Sequence, residues 1–157
     1  MIAVQDRRFI IMSILVNDGN LYMLSCSEWG KIMTYRVDRM RNVRCIDKLR
    51  IGQKEYDKLN IRTYPRRVFG MFEGERQRVT MVFDNSLLDT VVDRLGAEDV
   101  MYHSDGDKRF VVNAEIEVSP QFYAWIFGFG DKARIKNPAA VVEGMKEFLN
   151  KVTTVYE

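Results

Sequence analysis

The chain of 157 residues contains one histidine, two cysteines and three prolines, and each shortage removes a class of chemistry or architecture. A single histidine, His103, leaves His-dependent acid–base catalysis almost nothing to work with, and its expected place at a hairpin turn reads as a surface position. Cys26 and Cys45 lack a CxxC spacing and a neighbouring histidine cluster, so no metal site is expected. Both fall in strand-like segments and read as small buried thiols of a reduced, cytosolic protein. Ten Gly and three Pro, with plentiful apolar residues, exclude collagen-like and disordered chains. No apolar run approaches the ~20 residues that span a bilayer. The run Phe9 to Val16 follows charge but has no small-residue cleavage site after it, so neither a membrane span nor a signal peptide is expected.

What is present is 46% hydrophobic and 29% charged, at a length suited to one ordinary domain or two small ones. The formal net charge of +2 conceals an asymmetry. Up to Arg67 there are 14 Lys+Arg against 7 Asp+Glu, and beyond it 10 against 15. A basic half fits a polyanionic partner such as nucleic acid or a nucleotide; it fits equally a pair of halves that attract each other or simply solvate themselves. Residues 49–67, with Gly52, Pro65 and alternating charges, have little apolar periodicity and read as a linker that could hold a short helical turn. The expected organisation is therefore a first domain over 1–50, a linker over 51–67 and a second domain over 68–157.

The first domain reads as successive short strands. Phe9 to Val16 ends at the turn signal Asn17-Asp18-Gly19-Asn20, and Leu21 to Cys26 returns as the second arm of a hairpin. After a turn at Glu28-Trp29-Gly30, Lys31 to Val37 alternates, with Ile32, Thr34 and Arg36 on one face and Met33, Tyr35 and Val37 on the other. Asn42 to Ile46 is expected as a fourth strand, giving a small barrel or curled sheet.

In the second domain Val79, Met81 and Phe83 share one strand face, and Leu87, Leu88, Val91, Val92 and Leu95 recur at helical spacing up to a C-cap at Gly96. Val100 to His103 and Phe110 to Val118 form a hairpin across Ser104-Asp105-Gly106-Asp107. Its second arm places Phe110, Val112, Ala114, Ile116 and Val118 on one side. Glu115 and Glu117 then lie on the polar side, read as a solvated face. Ser119-Pro120 opens a helix carrying Phe122, Trp125, Ile126 and Phe129. Lys132 to Lys136 is a strand, Asn137-Pro138 repeats the cap signal, and Val142, Met145, Leu149, Val152 and Tyr156 form the stripe of a last helix. The order βαββαβ plus a terminal helix is the ferredoxin-like arrangement, so the fold class is α+β.

The strongest chemical signal is Tyr35-Arg36-Val37-Asp38-Arg39-Met40-Arg41, with Arg44 beyond. Arginines at a strand end and in the following turn fork onto phosphate or carboxylate, and Tyr22 on the preceding arm could stack on a base or donate a hydrogen bond. The alternative is that Arg36 and Arg39 pair with Asp38, Glu55 and Asp57 while Tyr22 packs inside.

The stretches Asn20-Leu21-Tyr22-Met23-Leu24 and Thr34-Tyr35-Arg36-Val37-Asp38-Arg39-Met40 resemble the signature of the WYL domain, an aromatic-Tyr-Leu triplet followed by a Phe-Arg-Leu-Asp-Arg-Ile-like motif. Leu21 and Met23 replace the triplet's Trp and Leu; Tyr22 is kept. Val68 to Phe72, Asp93 to Gly96 and Val118 to Gly130 resemble the WCX extension that follows this domain in bacterial transcriptional regulators. The resemblance implies a small Sm-like (SH3-like) barrel followed by a ferredoxin-like domain. It also implies binding of a nucleotide-type or single-stranded nucleic-acid effector by Tyr22, Arg36 and Arg39, with Ser25 and Arg41 as weaker neighbours. No catalysis, cofactor or metal is implied, and a homodimer is. The winged helix-turn-helix usual in the family does not precede Phe9, so duplex DNA would be read only if such a domain is supplied elsewhere. The barrel is expected to be incomplete at its N-terminus, its open edge covered by a partner or by Met1 to Arg8. A dimerisation or protein-interaction module without a small ligand is the alternative function.

Overall fold

The computed structural model describes residues 10–17, 19–27, 31–45, 47 and 53–157. The chain divides into two compact units, Met1–Ile61 and Arg62–Glu157, parting inside the segment expected as a linker. Among the described residues no helix is long and apolar enough to cross a membrane.

The first unit holds a three-stranded antiparallel sheet in the order β1-β2-β3, with β1 Ile10–Asn17, β2 Asn20–Cys26 and β3 Ile32–Arg36, and a short helix α1, Gln53–Lys58. Asn17 pairs with Asn20 at the hairpin tip, where Gly19 takes φ +72°, a left-handed value open to glycine at no steric cost. The central strand is buried from Met23 to Cys26. The described strands make an open meander, not a closed barrel. The expected fourth strand is not formed over 42–45: Val37–Arg39 turns as a single 3-10 turn, and Asn42 takes φ 55°, which extended pairing does not accommodate. Cys26 is buried as expected, but Cys45 is exposed in this irregular stretch. The Glu28-Trp29-Gly30 turn, Ile46, Phe9 and the Met1 to Arg8 cover lie outside the described residues.

The second unit begins with α2, Tyr64–Arg67, and a 3-10 turn over Phe69–Met71. It continues through β4 Glu75–Asp84, α3 Leu88–Leu95, β5 Met101–Asp105, β6 Arg109–Val118, α4 Pro120–Phe127, β7 Ala133–Asn137 and α5 Ala139–Thr154. The sheet order is β5-β6-β4-β7, antiparallel throughout, so each of the two β-α-β crossovers spans a strand belonging to the other. Period-two alternation explains the core. Val79, Met81 and Phe83 of β4 and Phe110, Val112, Ala114 and Ile116 of β6 face one way, and Val91, Leu95, Phe122, Ile126 and Val141 of the helices meet them. Phe69 joins this core, its ring 5.4 Å from Phe122 and 5.0 Å from Trp125. Ser119 caps α4 by accepting the Phe122 N–H at 3.3 Å, while α5 starts without a side-chain cap bond. Tyr156, expected on the apolar stripe, is exposed, because α5 ends at Thr154. His103 lies within β5, exposed on the sheet side away from the core.

Candidate functional site

Tyr22 and Arg36 are direct cross-strand partners of β2 and β3. Directly opposed residues leave the sheet on the same side with Cβ atoms about 5 Å apart. Strand alternation puts Asn20 on that side as well. Ser25, an odd number of residues from Tyr22, points to the opposite side and is buried. The β2–β3 connection sets this geometry, since pairing Cys26 with Ile32 fixes the register that brings Tyr22 opposite Arg36.

Arg36 is not idle. Its Nε donates to Asp38 Oδ1 at 3.0 Å, and its Nη2 donates to Asp38 Oδ2 at 2.9 Å and to Asn20 Oδ1 at 2.6 Å. The chain leaves β3 into the turn Val37–Arg39, closed by the Met40 N–H donating to the Val37 carbonyl at 3.1 Å, and this brings Asp38 back onto the guanidinium two residues before it. The side chains of Arg36 and Asp38 are 28% and 58% exposed. The hydrogen bond to Asp38 is the main reason Arg36 holds its proton more tightly than an ordinary arginine, the Tyr22 phenol adding to it. In return the bond from Arg36 holds the Asp38 carboxyl below the usual carboxylate range, with a smaller pull from Arg39.

Arg39 ends the turn and is exposed, its charge felt at Asp38. Arg41 and Arg44 are exposed in the irregular stretch that follows. The structure thus brings Tyr22 and Arg36 together with Arg39 alongside, leaves Arg41 outside the turn, and separates Ser25 from them. Asn20 was not foreseen as a member of the cluster. Its signal is the two-residue spacing to Tyr22, which puts both on one strand face.

A second polar cluster lies in the Arg62–Glu157 unit. Arg67 Nε stands 3.5 Å from Glu117 Oε1, with side chains 11% and 12% exposed, and its guanidinium lies 5.4 Å from the centre of the Tyr64 ring. Burial pushes the Glu117 carboxyl up despite Arg67 and the Gly74 backbone N–H, which favour its charge. Burial likewise pushes the Tyr64 phenol up, Glu117 and Glu73 adding to it. Glu117 is therefore not part of a solvated face, whereas Glu115 is exposed and paired with Arg76. Among the described residues no group of three His, Cys, Asp or Glu is placed to hold a metal ion.

Residues 75–152 match the WCX domain. The WCX match opens on the first residue of β4 and ends inside α5, so it takes in the whole four-stranded sheet. No curated protein matches the chain. Among solved structures, proteasome accessory factor B/C (PafBC) of Arthrobacter aurescens is similar over 81% of this chain, at 17% sequence identity and a TM-score of 0.36. The present chain covers 19% of the length of that one.

Proposed function

We propose that this chain is the ligand-sensing region of a WYL-type transcriptional regulator: an Sm-like module followed by a ferredoxin-like WCX domain, acting without catalysis in the cytoplasm as a homodimer. Its effector is a nucleotide or a single-stranded nucleic acid, held by Tyr22, Arg36 and Arg39. The observation that carries the reading is the direct pairing of Tyr22 with Arg36 across two strands. A phenol and a guanidinium fork set side by side on a solvent-reachable surface are the parts needed to stack a base and grip its phosphate. Arg39, one turn on, adds a second cation. Ser25 drops out of the ligand set, and Arg41 contributes charge alone.

The WCX match supports the regulatory context, and the sheet order β5-β6-β4-β7 supports the ferredoxin-like reading of that part. A guest that favours one of two arrangements of the protein shifts the equilibrium between them by its differential affinity, and an attached DNA-reading domain would respond to that shift. The test is binding of short single-stranded DNA and RNA by the chain and by its Arg36→Ala, Arg39→Ala double variant at two salt concentrations. The double variant is expected to lose most of its affinity and to show a shallower salt dependence. Unchanged affinity would remove the reading.

One observation favours a pure interaction module as the second reading. Ile11, Ile14, Val16 and Leu21 are large, apolar and exposed on the β1–β2 hairpin, the kind of surface that associates. That reading expects a concentration-dependent mass and no stabilisation by nucleotides.

A further inference from the structure

Resting on the effector site proposed above, we infer that Asp38 is a built-in competitor for the guest's anionic group, so that Arg36 admits only ligands able to displace a carboxylate. The fork of Arg36 already holds two carboxylate oxygens, at 3.0 and 2.9 Å from Nε and Nη2, in the arrangement that two phosphate oxygens would take. The occupant comes from the same chain two residues away, held near by the Val37–Arg39 turn, so it rebinds whenever the fork is vacant. The pair is open to water at both ends, which keeps its net strength small and its opening easy. Asn20 Oδ1, bonded to Nη2 at 2.6 Å, keeps the guanidinium aimed when Asp38 leaves.

Selectivity follows from this exchange. A simple carboxylate replaces one carboxylate with another and gains nothing. A phosphodiester strand also gains Arg39, which the departing Asp38 no longer shares, and the Tyr22 ring. Asp38 therefore sets a threshold that separates nucleotide-type polyanions from the carboxylate metabolites that would otherwise fill the same fork.

The experiment uses the full chain and a short fluorescein-labelled single-stranded oligo(dT), read by fluorescence anisotropy, with thermal unfolding to show that each variant folds. Asp38→Asn is expected to bind about three- to fivefold more tightly than the unaltered chain, the range that loss of an exposed ion pair allows. Asp47→Asn removes the same charge from an exposed residue outside the Val37–Arg39 turn and is expected to change affinity by less than about twofold, because it leaves the carboxylate in the Arg36 fork in place. Equal gains in the two variants would overturn the inference, since net charge alone would then account for them. Unchanged or weaker binding by Asp38→Asn, with binding lost in Arg36→Ala, would overturn the competitor and leave the site standing. Equal binding by Arg36→Ala and the unaltered chain would remove the site itself, and the competitor with it.

Discussion

The pair Arg67–Glu117 should respond unequally to removal of its two members. Removing one member of a buried ion pair costs about 3–5 kcal/mol, and Arg67→Met also forfeits the contact with the Tyr64 ring, about 0.5–1 kcal/mol. Glu117 keeps the Gly74 N–H and is 12% exposed, which pulls the cost toward the lower end, about 3.5 kcal/mol in all. Glu117→Gln removes a charge whose burial already outweighs its attractions and keeps a polar oxygen facing the Arg67 guanidinium, so about 1 kcal/mol is expected. The double variant should cost clearly less than the sum of the singles, because neither charge is then left stranded. Urea unfolding followed by tryptophan fluorescence in a Trp29→Phe background, where Trp125 is the remaining tryptophan, reads this unit directly.

Acidification provides the internal check. The carboxyl of Glu117 is pushed up in the folded state, so its stabilising contribution is complete below the unfolded value and is lost as pH rises through the folded one. Removing Arg67 raises the folded value further. The penalty of Arg67→Met should therefore shrink as pH falls toward the ordinary carboxylate range, because the stranded group takes up a proton. An Arg67→Met variant no less stable than Glu117→Gln at neutral pH, or a penalty that stays constant on acidification, would refute the argument.

Two other substitutions test local geometry. Gly96 sits at φ +78°, ψ 173°, a region essentially reserved for glycine, with the Arg66 guanidinium standing where a Cβ would go. Gly96→Ala should cost about 2–3 kcal/mol by urea unfolding. Ser119→Ala removes the acceptor for the Phe122 N–H and should lower stability by about 1 kcal/mol, seen as a fall of roughly 4–8 °C in the thermal midpoint of a unit this size; Ser119→Gly should lose less.

The Arg62–Glu157 unit was legible wherever a local rule decided the outcome. The alternation of β6 identified Phe110, Val112, Ala114 and Ile116 as core, and Ser119-Pro120 marked the start of α4. Glu117 escaped because the same alternation places it on the polar side, while its burial comes from α2, about fifty residues earlier, which no periodicity reports. In the first unit the pattern of residues 42–46 favoured a strand, yet the backbone conformation at Asn42, φ 55°, does not suit extended pairing over 42–45. The site was half legible. Arg36's direction away from Tyr35 follows from period two, and the pairing with Tyr22 follows once the hairpin register is known. The same parity sets Ser25 on the opposite side of β2 from Tyr22.

The interleaved strand order has a consequence for synthesis. As the nascent chain emerges, β4 comes out well before either of its neighbours, and it borders both β6 and β7. Its second edge stays bare until the ribosome has passed Asn137, so a message broken or stalled between the codons for Val118 and Ala133 would yield a polypeptide in which β4 is paired along one edge alone. Such a product presents an unpaired row of backbone donors and acceptors, and quality-control proteases rather than folding would decide its fate.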